Sequence, residues 1–576
     1  MSEQLEQSKN LLTMSLLAVG VGVVAGVGAW IFRVLIAAFH NIFFLGTLSF
    51  KYDANLHTVG NPWGAGIILV PVIGAIIVVW LVKNFAPEAK GHGVPEVMDA
   101  IYYGDGIIRP VVSVIKSLAS AICIGSGGSV GREGPIIQIG SAFGSTLGQF
   151  MRLPHSQRIT LIATGAGAGI AATFNAPLGG VAFAMELLLV SINASNVLPV
   201  ALGTGTASYV GRALLGAQPS FNFPPLRVPH FHLSDPGFLF LFVPFGAIMG
   251  LVGFIFVRGI YWAEDRFDSM PGNDYTRHIS GMLTVGIMIY LMYRFTGKYY
   301  VQGVGYATIM DILKGTLTDP FFLFLLFALK YAATCLTLGS GGSGGVFSPA
   351  LFMGATLGGI FGHTAQLLFP QVDIIPESFV AAGMAAGFGG STGAIITAAV
   401  MVLEMTEDSN AVLPIIITVS IALGVRKWLS PGSIYTLKLT RRGHAVPEGL
   451  QAAIEESRAV KDLMATQFRF LERDAVVTPY QGITIVLSRG SIVGLIDVVS
   501  YDHPPDLQAQ TVADENYVFT VADAPLTNAL KEMCARTSQY AIVTKKPGFK
   551  GLDDIVGVLT DREIASFCRI SANLRS

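Results

Sequence analysis

Residues 125–135 read GSGGSVGREGP, and residues 339–349 read GSGGSGGVFSP. The second stretch follows the first at an offset of 339 − 125 = 214 residues, which aligns Glu133 with Phe347. Proline is favoured in the first turn of a helix, because its missing N–H would be unpaired there anyway. The backbone amides before each proline are therefore predicted to form an anion-binding cradle at a helix N-terminus.

A second internal similarity indicates that the whole region is duplicated. Residues 164–188 align with residues 382–406 at an offset of 404 − 186 = 218, which pairs Glu186 with Glu404. Residues 91–95, GHGVP, add a third start of the Gly-x-x-x-Pro type. Two half-repeats with interrupted helices at matching places are typical of transporters whose site lies between the halves.

The composition predicts a multi-pass helical membrane protein. The chain has 576 residues, of which 52% are hydrophobic and only 13% charged, and its mean hydropathy is +0.58. Soluble domains carry about 25% charged residues. Helical membrane spans need about 20 apolar residues, and five windows without charge are predicted to be such spans. These windows are residues 11–32, 65–82, 161–185, 237–257 and 379–403.

The net charge and the cysteine count do not indicate a nucleic-acid-binding, zinc-binding or disulfide-rich protein. The net charge of −1 gives no indication of a nucleic-acid partner. The four cysteines include no CxxC pair, so neither a zinc site nor a disulfide framework is predicted. The N-terminus lacks a basic region before its long apolar run, which is therefore expected to be retained as a span.

The chain changes character after the last apolar window. Arg426, Lys427, Lys438, Arg441 and Arg442 follow that window, and such positive charge favours the cytoplasmic side. From about residue 459 the composition is that of a soluble protein with two β/α units. The predicted boundaries are residues 1–440 for the membrane domain with halves at about 11–215 and 237–436, residues 441–457 for a linker, and residues 458–510 and 511–576 for the two units.

On these motifs the chain resembles the CLC family of chloride channels and proton-coupled chloride transporters. The resemblance rests on GREGP at residues 131–135, GGVFSP at 344–349 and AATFNAPLGG at 171–180. The tail resembles a tandem of cystathionine-β-synthase-type (CBS) domains, best at residues 557–564. The implied fold class is membrane all-α, a CLC-type inverted repeat of broken, tilted helices followed by a cytosolic α/β CBS pair.

The resemblance also implies how such a protein works. It implies a homodimer in the cell or inner membrane, with a separate chloride pore in each subunit, no enzyme activity and no required cofactor. Glu133 matches the gate, whose carboxylate occupies the pore until it is protonated or displaced. Backbone amides and a hydroxyl bind chloride without trapping it, as conduction requires. The implied anion-binding residues are His92, Gly93, Arg132, Gly134, Val346, Phe347 and Tyr435.

Two departures from the family pattern affect the functional interpretation. His92 stands where the first pore motif usually has serine, and two interpretations stay open, a pore-lining residue or a packing histidine. Leu187 stands where proton-coupled members usually have an inner glutamate. Leucine cannot carry a proton, and Glu186 should face elsewhere because one helical residue is about 100° of turn.

The missing inner glutamate favours a passive, Glu133-gated chloride channel that depends on voltage and pH. The alternatives are a chloride/proton antiporter with another inner proton route, and a sensor in which the CBS tail controls anion flux. In the tail, Thr560 and Asp561 match the ribose-binding end of nucleotide-binding CBS units. Adenine-nucleotide binding and dimerisation alone both stay open there. For Glu133 the structural alternative is an ion pair with Arg132. Glu186 and Glu404 are interpreted as structural or interfacial residues rather than proton carriers.

Overall fold

The computed structural model describes residues 2–216, 236–406, 411–444, 446–448, 459–478, 480, 482–497, 508–536, 538–546, 548 and 551–563. The chain divides into two compact units, residues 1–450 and 451–576. The first unit contains the glycine-rich motifs, and the second contains the tail. Parts of the predicted linker and the ends of both predicted tail units lie outside the described residues.

The membrane unit consists of helices in two halves. The first half contains α1 (Ser2–His40), α2 (Val70–Phe85), α3 (Val94–Tyr102), α4 (Pro110–Gly125), α5 (Glu133–Phe150), α6 (His155–Phe174), α7 (Pro177–Phe183) and α8 (Ala194–Leu215). The second half contains α9 (Pro236–Phe240), α10 (Phe242–Asp268), α11 (Asp274–Thr296), α12 (Tyr306–Leu313), α13 (Pro320–Gly339), α14 (Phe347–Leu368), α15 (Pro376–Thr392), α16 (Ile395–Thr406), α17 (Val412–Leu429) and α18 (Thr436–Arg441). Among the described residues, six helices are long and apolar enough to cross a membrane.

Equivalent glycines pack equivalent helices in the two halves. A Cβ added at Gly140 on α5 would collide with the carbonyl of Gly165 on α6, and the converse holds as well. The same mutual contact joins Gly354 on α14 to Gly383 on α15. Small residues let helix backbones approach closely in lipid, where apolar burial drives little association. The duplication predicted from the sequence is therefore visible in the packing.

Two buried lysines extend the correspondence between the halves. Lys116 on α4 donates from Nζ to the carbonyls of Ala89 at 3.0 Å and Gly91 at 2.7 Å, just before α3. Lys330 on α13, at the offset 330 − 116 = 214, donates to Val301 at 3.1 Å and Gly303 at 2.7 Å, just before α12. A buried ammonium needs such partners, because burial without them is costly. Each lysine thus fixes the loop that leads into a short helix.

Two of the predicted spans are wrong as single helices. The window 161–185 breaks between α6 and α7, where Asn175 is left-handed with φ 58° and Pro177 begins the next helix. The window 379–403 breaks between α15 and α16, where Gly393 has φ 85°. Proline and a left-handed residue both interrupt the hydrogen-bond ladder of a helix. Hydropathy alone missed these breaks because the flanking residues stay apolar.

Glu186 and Glu404 cap each other's neighbouring helices. Glu186, in the π-helical turn that follows α7, accepts from the amides of Ile396 at 3.1 Å and Thr397 at 2.8 Å at the start of α16. Glu404, near the end of α16, accepts from Leu178 at 3.0 Å and Gly179 at 2.7 Å at the start of α7. Carboxylates stabilise helix N-termini by satisfying unpaired amides and complementing the dipole. Both acids therefore have the structural role that the sequence suggested.

Arg426 does not lie outside the last span, contrary to the sequence-based interpretation. It lies within α17, is fully buried and donates to the Gly390 carbonyl at 3.0 Å. Its guanidinium also pairs with Glu448. A buried guanidinium needs such a partner, so Arg426 is not evidence for the side of the membrane.

The tail contains two small sheets of the same topology. The first sheet has β1 (Phe468–Glu472), β2 (Ile483–Ser488) and β3 (Ser491–Asp497), and the second has β4 (Tyr517–Val521), β5 (Tyr540–Thr544) and β6 (Ile555–Thr560). In each sheet the central strand pairs parallel to the first strand and antiparallel to the last. A helix at Leu526–Ala535 lies between β4 and β5. This agrees with the predicted α/β class, whereas the predicted domain boundaries stay predictions.

Replacing Glu186 by alanine should destabilise the membrane unit. The substitution leaves the amides of Ile396 and of buried Thr397, and the Thr397 hydroxyl at 2.8 Å, without their acceptor. We expect a loss of about 2–5 kcal/mol in the free energy of unfolding, measured as a lower thermal unfolding midpoint in detergent. Asp373→Asn, at an exposed acid, is the control. An unchanged midpoint in Glu186→Ala would contradict the capping role.

Candidate functional site

The three glycine-rich helix starts meet in the interior of the membrane unit. The Gly91 amide donates to the Gly342 carbonyl at 3.0 Å, and the Gly344 amide donates to the Gly91 carbonyl at 3.2 Å. Gly131 and Gly345 exchange two backbone hydrogen bonds of 2.7 and 2.6 Å. The loops before α3, α5 and α14 are thus joined, as the repeated Gly-x-x-x-Pro pattern predicts. Helix N-termini brought together in this way favour bound anions.

Glu133 is the first residue of α5, and its side chain is fully buried. The Tyr306 hydroxyl donates a hydrogen bond to Oε1. The Ser348 hydroxyl lies 2.7 Å from Oε1 and 2.8 Å from Oε2. A Cβ added at Gly131 would collide with Oε2. The carboxylate is therefore held between the two halves by hydroxyl groups, in a space that glycine leaves open.

Arg132 does not serve as the counter-ion of Glu133. Its guanidinium carbon lies 5.1 Å from the centre of the Tyr306 ring, an attractive position for a cation. The buried Nε has no hydrogen-bond partner. Among the residues that the structure describes, no cation lies within 4 Å of the Glu133 carboxylate. The alternative of an Arg132–Glu133 ion pair is therefore not observed.

His92, in the loop before α3, and Tyr435, just before α18, lie near each other. Both are buried, and their ring centres are 6.0 Å apart. The Nδ1 atom of His92 is buried without a hydrogen-bond partner. Tyr435 is held through its neighbour Ile434, whose amide donates to the Ser391 carbonyl at 2.9 Å. A buried polar atom without a partner is unusual, so Nδ1 of His92 is available to a bound anion or water.

The backbone candidates occupy the joined loops. Gly93 has φ 88°, and a Cβ added there would lie 2.9 Å from Gln138 Oε1 and 3.0 Å from the Gly134 carbonyl. Val346 and Phe347 are buried at the start of α14. The structure thus brings together the predicted loop residues around the start of α5.

Leu187 is buried in the turn that follows α7, next to Glu186. Because Glu186 is engaged with the start of α16, neither residue offers a free carboxylate for an inner proton route. The passive channel that Leu187 suggests therefore stays a prediction at this point, because leucine has no exchangeable proton.

The tail candidates differ in exposure. Thr560 is fully buried at the end of β6, and its hydroxyl donates to Glu563. Asp561 is exposed, and its amide donates to the Gln539 carbonyl at 3.2 Å. Of the two predicted nucleotide contacts, only Asp561 presents its side chain to solvent. Within the described part of the chain, no cluster of three His, Cys, Asp or Glu side chains is arranged to hold a metal ion.

The sequence interpretation missed four residues of the site. They are Tyr306, Ser348, Lys116 and Lys330. The lysines carried a signal, because each is the only charged residue in an apolar helix and they share the 214-residue offset of the glycine motifs. Tyr306 carried none, because an aromatic residue in an apolar segment is ordinary and α12 lacks the proline that marks the other starts.

A membrane protein in which two related halves join helix N-termini around a buried carboxylate is a transport protein of the inverted-repeat class. A family model described as "Voltage gated chloride channel" matches residues 74–427, which is more than half of the chain. The chain belongs to this family, the CLC family. Its members are transport proteins rather than enzymes and need no cofactor, as the resemblance predicts.

Individual relatives agree with this assignment. The H(+)/Cl(−) exchange transporter ClcA of Vibrio parahaemolyticus is 35% identical over 389 residues, covering 66% of this chain and 80% of that protein. ClcA of Yersinia pseudotuberculosis is 32% identical over 415 residues, covering 70% and 83%. A slow cyanobacterial Cl−/H+ antiporter matches in structure with a TM-score of 0.65 at 25% identity, covering 74% and 97%. A eukaryotic CLC transporter, at 19% identity and a TM-score of 0.61, shares the fold over 96% of this chain and 98% of that chain.

Replacing His92 by serine should change anion binding if Nδ1 faces the anion. We expect His92→Ser to change chloride affinity by about fivefold, the equivalent of one hydrogen bond. Calorimetric titration of chloride in detergent is the measurement.

The matched control is His363→Ser on α14, where the histidine is partly exposed. It should leave chloride affinity unchanged. If His92→Ser binds chloride like the wild type, His92 is a packing residue.

Proposed function

We propose that this chain is a membrane transporter that exchanges chloride for protons, with Glu133 as the gate of its anion path. The observation that carries the proposal is a fully buried carboxylate at the first residue of α5. It lies where the loops before α3 and α14 meet. Helix N-termini attract anions, so the carboxylate and a transported anion compete for the same place.

The backbone around the gate suits transport better than tight binding. Amide groups of the joined loops and the polar side chains of His92 and Tyr435 interact with an anion through partial charges. The two buried lysines are occupied by loop carbonyls, so neither ammonium is left free to trap an anion. Conduction requires sites that attract an ion and still release it. This arrangement meets both conditions.

The names of the relatives favour exchange over the passive channel that Leu187 suggests. Relatives 32–35% identical are named H(+)/Cl(−) exchange transporters, and a structural match is described as a Cl−/H+ antiporter. The proton must then pass the region of Leu187 by another route, because leucine has no exchangeable proton. Water can supply such a route in a protein interior. We therefore propose exchange, and the passive channel is the alternative outcome of the test.

The assembly and the tail complete the proposal. The subunit is proposed to form a homodimer with one anion path in each copy, in the cell or inner membrane. Lys438 and Arg441, which follow the last membrane-length helix, support a cytoplasmic tail. The two sheets of the tail suit a CBS pair, in which exposed Asp561 is the remaining candidate for an adenine-nucleotide ribose. Control of anion flux by this tail is the proposed regulatory role.

Replacing Glu133 by glutamine should separate chloride movement from proton movement. In proteoliposomes, an imposed chloride gradient should drive protons uphill in the wild type. Glu133→Gln keeps the size of the side chain but cannot bind the transported proton, so chloride should still move while uphill proton movement is lost. We also expect chloride flux to lose most of its dependence on external pH.

Glu377→Gln, at a partly buried acid in the first turn of α15, is the matched control and should behave like the wild type. Chloride flux in the wild type without uphill proton movement would make the protein a passive channel. Wild-type pH dependence retained in Glu133→Gln would reject Glu133 as the gate.

A further inference from the structure

The hydroxyl groups around Glu133 have no assigned role in transport. Tyr306 begins α12 and Ser348 is the second residue of α14, so both belong to the second half, whereas Glu133 belongs to the first. All three side chains are fully buried. We propose that Tyr306 and Ser348 form a hydroxyl clamp that holds the Glu133 carboxylate in the pore-blocking position and so sets how much chloride passes without a proton. This inference rests on the proposed function of Glu133 as the gate.

The number of donors fits an ionised carboxylate. Each hydroxyl has one proton to donate, and both hydroxyl oxygens contact the carboxylate of Glu133. Hydrogen bonds to an ionised acceptor are about twice as strong as those between neutral groups. With no cation within 4 Å among the described residues, the two hydroxyls are the side-chain groups that hold the charged gate in place.

The clamp can also release the carboxylate without leaving both hydroxyls unpaired. The oxygens of Tyr306 and Ser348 are 2.8 Å apart, and either can be the donor. When Glu133 moves away, one hydroxyl can donate to the other. Leaving a buried donor unpaired is costly, so this contact lowers the cost of opening. The clamp therefore keeps a hydrogen bond in both arrangements, with the carboxylate and without it.

The position of Tyr306 is fixed from several sides. The Arg132 guanidinium lies over its ring. Further along α12, Asp311 accepts from His57 Nε2 at 2.8 Å and from Lys298 Nζ at 3.3 Å. Burial lowers the pKa of His57, although its hydrogen bond to Asp311 opposes this shift, so His57 donates as a neutral imidazole at pH 7. The loop that contains His57 thus anchors the helix that positions the clamp.

Other charged and titratable groups face the same site and must stay unchanged in a test. Arg132 precedes α5, Lys330 lies on α13, and Tyr435 precedes α18. Lys330 and Tyr435 interact electrostatically with Glu133, and Arg132 interacts with Tyr306. Removing only an oxygen atom from the clamp leaves these groups in place, which makes Tyr306→Phe and Ser348→Ala the appropriate variants.

The experiment compares chloride and proton flux in proteoliposomes at pH 7.5. In Tyr306→Phe and in Ser348→Ala, the carboxylate loses one donor, so chloride flux should rise at least about threefold. The number of chloride ions moved per proton should rise with it, because the gate opens without a proton more often. Tyr300→Phe and Ser378→Ala are the controls, since the Ser378 hydroxyl is buried without a hydrogen-bond partner.

A second background separates the clamp from a general change of the pore. In Glu133→Gln, where the charged gate is already absent, Tyr306→Phe should change chloride flux by less than twofold. The clamp would be overturned if Tyr306→Phe raised chloride flux equally in both backgrounds. It would also be overturned if both single variants had the chloride flux and the chloride-to-proton ratio of the wild type. If Tyr306→Phe fails to fold, Ser348→Ala carries the same test.

The failure of the proposed function has a different signature. It appears as an absence of uphill proton movement in the wild type, or as wild-type pH dependence in Glu133→Gln. In a passive channel, removal of a clamp hydroxyl would still raise chloride flux. Only the measurement of chloride ions moved per proton would be lost.

Discussion

The burial of a carboxylate at the point where helix N-termini from two halves meet is the constraint on which the site depends. Glu133 has no counter-ion within 4 Å among the described residues, so the Tyr306 and Ser348 hydroxyls hold it. Burying a carboxylate is costly unless hydrogen bonds replace its water. The glycine at position 131 and the start of α14 both serve this need, by leaving room for the carboxylate and by bringing a hydroxyl to it.

Other buried polar groups of the membrane unit also need hydrogen-bond partners, and they find these partners in neighbouring elements. Glu186 caps α16 while Glu404 caps α7, so each half satisfies helix amides of the other. Lys116 and Lys330 fix equivalent loops in the two halves. Polar groups at membrane depth must be satisfied inside the protein. Interrupted helices are stable here because neighbouring elements supply the partners that lipid cannot.

Sequence motifs predicted the central feature and missed what surrounds it. Glu133 was found because an acid within a glycine run before a proline is unusual in an apolar segment. Hydropathy predicts single spans at residues 161–185 and 379–403, since it does not register a break at Asn175 or Gly393. Tyr306 was missed because its role comes from the partner it meets. Leu187 favours a channel, whereas the names of the relatives favour exchange. The residue at one position cannot exclude a proton route, because water can also carry protons.

The sequence by itself determined the membrane class, the duplication, the three glycine-proline helix starts and the presence of an acid, Glu133, at one of them. These are local properties, set by hydropathy, by the missing N–H of proline and by the spacing of repeated residues. Only the tertiary structure decided that Arg132 packs on Tyr306 and that two hydroxyls hold Glu133. It also decided that Glu186 caps α16. Those contacts join residues about 170–215 positions apart, and their partners are chosen by packing between the halves, which no local pattern encodes.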